Sequence, residues 1–310
     1  MANLFGLSGL GFIEPFYNGP LTTDNSRLTT HNEQLTTDNS QRTTHINGKP
    51  MLNPRILIKI GGRAFDGEQG YQELAAAIKA CPGLELIIVH GGGAEISQAL
   101  KRAKRETKFI DGIRVTQAED IKIVEDVLSG VVNLRIASWL SDNGVECRRM
   151  SGKTENLLLV EPLTRGGLNW GFVGQVKQVN AVVVLENLKE NRVPVISPIS
   201  GDEKGDSYNV NADNAAAALA AAAQCTDLVF VTDVPGVLVN EQIRPSLSVA
   251  DAKSLIGDGV IQGGMVAKME SAFEALQKKV SRVHIIQWQG PKTLTNILSQ
   301  PAISGTIIHI

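Results

Sequence analysis

Apolar and polar positions along the chain change period several times, and each change predicts an element. The run Arg55-Ile-Leu-Ile-Lys-Ile-Gly-Gly62 is apolar apart from one lysine and stops at a glycine pair. Such a run predicts a strand buried on both faces of a parallel sheet. Residues 70–80 switch to helical spacing, with Leu74, Ala75 and Ile78 on one face. A second apolar strand over 84–90 ends at Gly91-Gly92-Gly93 and passes straight into a helix predicted over 94–105. After it, Asp111-Gly-Ile-Arg-Val-Thr116 reads as a turn, and Thr116 with Glu119 reads as a capping box that opens a helix. The amphipathic stretch 118–142 is predicted to cover the sheet. Residues 145–179 carry short polar-apolar segments broken by glycines, which predict antiparallel hairpins laid over a site as a lid. Strand returns over 193–198, an alanine-rich helix over 214–223, a strand and Pro-Gly turn over 227–238, and a last clear helix over 263–279. This alternation makes the chain an α/β protein.

The first fifty residues follow another rule. From Leu21 to Gly48 the chain repeats every seven residues, as LTTDNSR, LTTHNEQ, LTTDNSQ and RTTHING. Each unit has too few apolar residues for a coiled-coil heptad, and its Thr, Asn, Asp and Ser compete with helix. Residues 1–50 are therefore predicted to be a low-complexity, disordered tail, with Met51 as a start that would exclude it and residues 51–310 as the folded domain. The alternative is a partner or oligomerisation arm. His31 and His45 lie in this tract and enter no site.

Composition narrows the classes. The 310 residues are 43% hydrophobic with a formal charge of -2, enough for a sizeable core and no surface suited to nucleic acid or an anionic membrane. Cys81, Cys147 and Cys225 stand far apart without a C-x-x-C pair, which fits a reduced, cytoplasmic protein. No apolar run reaches the roughly 18 residues of a membrane span, and the N-terminus lacks the features of a secretory signal.

Candidate chemistry gathers where strands end. Burying the Lys59 ammonium is costly unless an anion meets it, so it either points at a ligand or carboxylate, or snorkels to solvent beside an ordinary turn. Gly61 and Gly62 let a phosphate approach their backbone N–H groups. Strand, glycine triplet and helix start at Gly91, Gly92 and Gly93 make an anion site, the alternative being a flexible loop. Arg114 is either a carboxylate fork or a solvated loop arginine. Asn209, Asn211 and Asp213 alternate, so their side chains could converge on a small polar ligand, although Asp213 could equally be an N-cap. Asp233 sits at the rim of its strand, and Lys268 is a ligand group or a surface lysine on the last helix. Gly152-Lys153-Thr154 imitates a P-loop, but Cys147 stands where that motif needs glycine. No G-x-G-x-x-G follows a strand after Met51, which removes a Rossmann site.

Lys59-Ile-Gly-Gly, His90-Gly-Gly-Gly, Gly112-Ile-Arg-Val-Thr, Asn209-Val-Asn-Ala-Asp, Thr232-Asp-Val-Pro-Gly-Val-Leu and Gly264-Met-Val-Ala-Lys follow the order seen in the amino acid kinase superfamily. Within it they most closely resemble the acetylglutamate kinase family. The resemblance covers residues 54–310. It implies a three-layer αβα sandwich around a mostly parallel sheet, with a substrate lobe over about 51–200 and a nucleotide lobe over about 201–310. It further implies ATP and Mg²⁺, and phosphorylation of the side-chain carboxylate of N-acetyl-L-glutamate in arginine biosynthesis. By the same resemblance Lys59 and Lys268 contact the transferring phosphoryl group, and Asp213 holds both. Gly62 and Gly92 meet that group too, with Gly61 and Gly91 beside it, while Gly92, Gly93, Arg114 and Asn209 bind the acylated amino acid. Asp233, Gly236 and Leu238 border the nucleotide. No residue is assigned to a metal.

The chain also departs from the family. Residues 1–50 do not read as the N-terminal helix of feedback-inhibited hexameric members. Leu134 stands where the family often has lysine, and the region around Trp288-Gln-Gly-Pro-Lys292 is unlike the common pattern. The expected assembly is a homo-oligomer, a dimer. The alternatives are a kinase for N-succinyl-L-glutamate or another small amino acid, and a non-catalytic amino acid sensor on the same fold.

Overall fold

Residues that are apolar on both faces of a strand end up at the centre of the main sheet. The computed structural model describes residues 43–46, 49–52, 54–62, 64–65, 67–299 and 305–310. Among these residues the main sheet has eight strands. Its middle is β13 (Asp227–Thr232), β3 (Arg55–Ile60) and β4 (Glu85–His90). On one side follow β10 (Val193–Ser197) and β7 (Cys147–Ser151), and on the other β17 (Arg282–Gln287), β18 (Thr306–His309) and β16 (Ser246–Ser248). Every neighbouring pair is parallel except β17 with β18.

The two-residue period of β3 assigns the layers. Ile56, Ile58 and Ile60 pack under α1 (Gly67–Lys79), α4 (Asn133–Asp142) and α9 (Thr293–Ser299). Leu57 faces the other way, into the layer of α5 (Val182–Lys189), α6 (Ala212–Ala222), α7 (Val249–Gly257) and α8 (Gly264–Gln277). Lys59 shares that second face. The result is the expected three-layer αβα sandwich with a mostly parallel sheet. None of its described helices is long and apolar enough to cross a membrane.

Several sequence expectations change. Thr116 opens no helix: its N–H donates to the Trp170 carbonyl, and α3 (Ile121–Glu125) starts five residues later without a side-chain cap. Glu119 pairs with Arg105 instead of capping. A tertiary contact thus outweighs a local capping signal. The stretch 121–142 is helical throughout, but Asp126–Val132 is wound as π-helix. In the supposed lid, β7 belongs to the main sheet, and only β8 (Leu158–Pro162) and β9 (Val173–Val179) form a hairpin, closed into a small barrel with β11 (Ile199–Gly201) and β12 (Ser207–Val210). At the tail, β1 (Thr43–Ile46) pairs antiparallel with β2 (Lys49–Leu52), where the sequence predicts no regular structure. The rest of the repeat tract lies outside the described residues.

Candidate active site

Three strands deliver their carboxyl ends to one edge of the sheet, where ligands of open α/β folds bind. Lys59 is next to last in β3, with Phe230 of β13 on one side and Val89 of β4 on the other. Asp213 lies in the first turn of α6, whose N-cap is Asn211, accepting from the N–H groups of Asp213 and Asn214. Asn211 is therefore spent on the cap, and the expected convergence of three alternating side chains does not occur. The cap frees Asp213 to turn inward.

There its two carboxylate oxygens meet two ammonium groups, Lys59 at 2.8 Å and Lys268 of α8 at 2.9 Å. Asp213 and Lys268 are both buried, so neither lysine is a surface residue of its element. Lys268 Nζ also lies 4.7 Å from the centre of the Phe230 ring, a cation–π contact. Burial by itself raises the Asp213 pKa, but Lys59 and Lys268 outweigh it and hold the carboxyl well below the usual carboxylate range. Burial lowers the Lys268 pKa, Asp213 restores part of it, and Lys59 opposes that recovery. The cluster holds two ammonium groups against the single buried carboxylate of Asp213, with the exposed Asp233 carboxylate also acting on Lys268. A buried surplus of positive charge is what an incoming polyphosphate neutralises.

Arg114 and Asn209 are joined to the glycine triplet and to each other through hydrogen bonds. Arg114, on β6 (Ile113–Val115), donates to the Gly93 carbonyl at 2.8 Å, to Ser97 Oγ at 2.9 Å and to Thr107 Oγ1 at 3.3 Å. Its guanidinium stacks over Phe109 of β5 (Lys108–Ile110). Burial lowers its pKa to about 10, and among the described residues no carboxylate pairs with it. Asn209 of β12 donates to Thr116 Oγ1, which donates to the Arg114 carbonyl. Thr116, Ser97 and Thr107 were not legible as site residues, because their roles depend on a hairpin docked across the chain.

The glycines divide. A Cβ on Gly62 would come 3.5 Å from the Gly93 nitrogen, so the loops after β3 and β4 meet at Gly62, Gly92 and Gly93. Gly61 and Gly91 do not offer free N–H groups, because they donate to Val231 and Ile60 and extend the sheet ladders. That corrects the expectation that all these amides face a phosphate. Gly236 packs where a side chain would meet Thr306 Oγ1 and Gly305. Asp233 is exposed, as is Leu238 on the short strand β14 (Leu238–Val239), at 43%. A cavity of about 270 Å³ lies on the other face of the sheet, between α1 and α4, walled by Tyr71, Trp139 and Arg135. It shares the glycine ends but not the lysines.

A mostly parallel αβα sandwich with this lysine–aspartate–lysine cluster at its carboxyl edge defines a phosphotransferase-type site, and the chain belongs to the amino acid kinase family, which matches residues 54–287. Relatives named acetylglutamate kinase fall inside that family. The one from Chloroflexus aurantiacus is 40% identical, spanning 76% of this chain and 92% of its own length. That from Carboxydothermus hydrogenoformans is 34% identical over 84% of this chain and 93% of its own. A crystal structure of a Streptococcus mutans protein superposes with a TM-score of 0.70 at 28% identity, covering 82% of this chain and 98% of that one. N-acetylglutamate synthase from Neisseria gonorrhoeae, at 22% identity, shares the fold with a TM-score of 0.71, over 83% of this chain and 60% of its own.

Proposed function

We propose that this chain is an acetylglutamate kinase, which moves the γ-phosphoryl group of ATP to the side-chain carboxylate of N-acetyl-L-glutamate in arginine biosynthesis. The observation that carries the reading is the buried Lys59–Asp213–Lys268 cluster at the sheet edge. A carboxylate is already a nucleophile at neutral pH, so the reaction needs no general base. One carboxylate oxygen forms a bond to the γ-phosphorus as the bond to the β-bridging oxygen breaks, leaving ADP and an acyl phosphate. Lys59 and Lys268 meet the charge that spreads over the transferring group, and Asp213 fixes the distance between them. Magnesium arrives with the nucleotide as MgATP.

Arg114 takes the substrate α-carboxylate, with Asn209 and the Gly92 and Gly93 amides beside it. Asp233, Gly236 and Leu238 border the nucleotide, in a lobe of about residues 201–310, opposite a substrate lobe of about 51–200. Two copies pair as a dimer, and three free cysteines suit a reducing cytoplasm. The relatives' shared name favours acetyl over succinyl on the substrate nitrogen. A coupled ADP-release assay tests the whole reading, with N-acetylglutamate, N-succinylglutamate, glutamate, aspartate and uridylate as acceptors. N-acetylglutamate is expected to turn over fastest; no turnover with either acylated glutamate overturns the proposal.

A further inference from the structure

Asn133 and Leu134 are neighbours on one helix, yet the asparagine is 1% exposed and the leucine 47%. Hydrophobicity alone would reverse them. The inversion follows from the π-helical winding of Asp126–Val132. The Asn133 N–H reaches back to the Leu128 carbonyl, five residues earlier, instead of to Ser129. The Ser129 carbonyl accepts from Arg149 Nη2 of β7 at 2.9 Å, and Ser129 Oγ lies 2.7 Å from Ser197 Oγ of β10. The winding is thus pinned to two strands and turns Asn133 into the sheet.

Its buried amide can be oriented without ambiguity. Arg149 Nε only donates, so the Asn133 oxygen 3.2 Å away is Oδ1. Nδ2 then donates to the Val195 carbonyl at 2.8 Å and to His90 Nε2 at 3.0 Å, with the Met150 carbonyl at 3.3 Å. His90 Nε2 must therefore be unprotonated. The proton is on Nδ1, which donates to the Gly91 carbonyl at 2.9 Å. The Gly91 N–H is also committed, to Ile60 at 2.9 Å. Both polar groups of the first glycine in the triplet are fixed, and Gly92 rests against Leu128 and Val132 of the same π-wound turn, where a Cβ would lie 2.8 and 3.2 Å from their side chains. The triplet ends at Gly93, whose carbonyl receives Arg114.

We infer that Asn133 is a positioning residue for the glycine triplet: by fixing the Nδ1–H tautomer of His90 it sets the Gly91 peptide, and through it the Gly92 and Gly93 amides and Arg114 that receive the acylated amino acid. The inference rests on the function proposed above. Asn133→Asp is the sharpest test, because Asp keeps the size and can still accept from Arg149. As a carboxylate it has no hydrogen to give His90, so Nε2 must carry a proton, and because burial of the ring disfavours the imidazolium, Nδ1 gives its proton up and Gly91 loses its donor.

Nitrogen-15 NMR of imidazoles, with His90 assigned by its absence in His90→Gln, is expected to show Nδ1–H in the wild type and Nε2–H in Asn133→Asp. In the same variant the acetylglutamate kcat/KM is expected to fall ~10- to 100-fold, the scale of an ~1 Å misplacement, while the KM for ATP changes less than ~2-fold. Asn187→Ala is the control for mere destabilisation. Asn187 is equally buried, but lies on α5 and bonds only within its own helix, so this variant should lower the melting temperature and leave both kinetic constants at wild-type values. An Nε2–H tautomer in the wild type overturns the inference, as does a tautomer change in Asn133→Asp with unchanged acetylglutamate kinetics. Wild-type Nδ1–H in a protein that turns over no acylglutamate supports the relay and refutes the function instead.

Discussion

At the scale of single residues, charge placement separates groups that bind from groups that act in the transition state. Lys268 lies against Asp213, and in the proposed reaction it would meet the charge that spreads over the phosphoryl group as that group leaves ADP. Lys268→Ala is therefore expected to cost about 2.7–4 kcal/mol of barrier, or ~10²–10³ in kcat, with smaller changes in both KM values. In the proposed reaction Arg114 would hold the substrate carboxylate in ground and transition state alike. Arg114→Ala should mainly raise the KM for acetylglutamate and leave that for ATP nearly unchanged, as steady-state kinetics will report. A fall in ATP affinity instead would exchange the two sides of the site. The pH dependence follows from the same cluster. Lys268 must be protonated to act, and burial places its pKa below the ordinary 10.5, so kcat should decline on the alkaline side before a free lysine would lose its proton. Asp213 has its pKa depressed, so it stays ionised through the neutral range and adds no acidic limb there. Its contribution to folding is present above the unfolded carboxyl pKa and disappears as pH falls toward the folded value. A pH–rate profile with an acidic limb near neutrality would contradict the assignment.

At the scale of elements, what could be read in advance was what a short window contains. Buried strands, the glycines that end them and the helices that follow are written in local apolar spacing, so the places of Lys59 near the end of β3, of the glycine triplet after β4 and of Lys268 on α8 are legible in the sequence. The pairing of Asp213 with both lysines has no local signature, since each partner comes from another element. The capping signal at Thr116 failed for a related reason: the β5–β6 hairpin is held by Thr116 against Gly171, and that bond outcompetes a cap. Gly171 makes the approach possible, with φ at +65° and a position where any Cβ would run into the Thr116 carbonyl. Gly171→Ala thus combines backbone strain of order 1–3 kcal/mol with loss of the docking contact. Because Thr116 links Arg114 to Asn209, the variant should melt at lower temperature and also raise the KM for acetylglutamate. Calorimetry with a KM unchanged from wild type would show that the hairpin supports only the fold.

At the scale of the whole molecule, the long helix that supports the glycine triplet from inside also has an outward face. Val124, Leu128 and Val132 on this helical stretch are buried in the body and offer nothing to an interface. Val131 remains 56% exposed and Leu134 47%, three residues apart on the same side, with Ser138 one turn further along. A twofold axis across this stripe would bring it against its own copy, the self-complementary arrangement of most homodimers. It would also bring into the contact the helix whose inner face carries Asn133 and the π-wound turn. Burying each apolar side chain contributes roughly 1.5–3 kcal/mol, so replacing both by glutamate, which adds desolvation and like-charge repulsion across the axis, should weaken the dimer at least ~100-fold. Light scattering is expected to give twice the chain mass for the wild type at micromolar concentration and the single mass for Val131→Glu/Leu134→Glu. If the dimer forms by this face, the monomeric variant should retain the melting behaviour of its own core, since neither residue packs inward. A wild type that scatters as a monomer, or a double variant that remains dimeric, assigns the stripe no role in assembly.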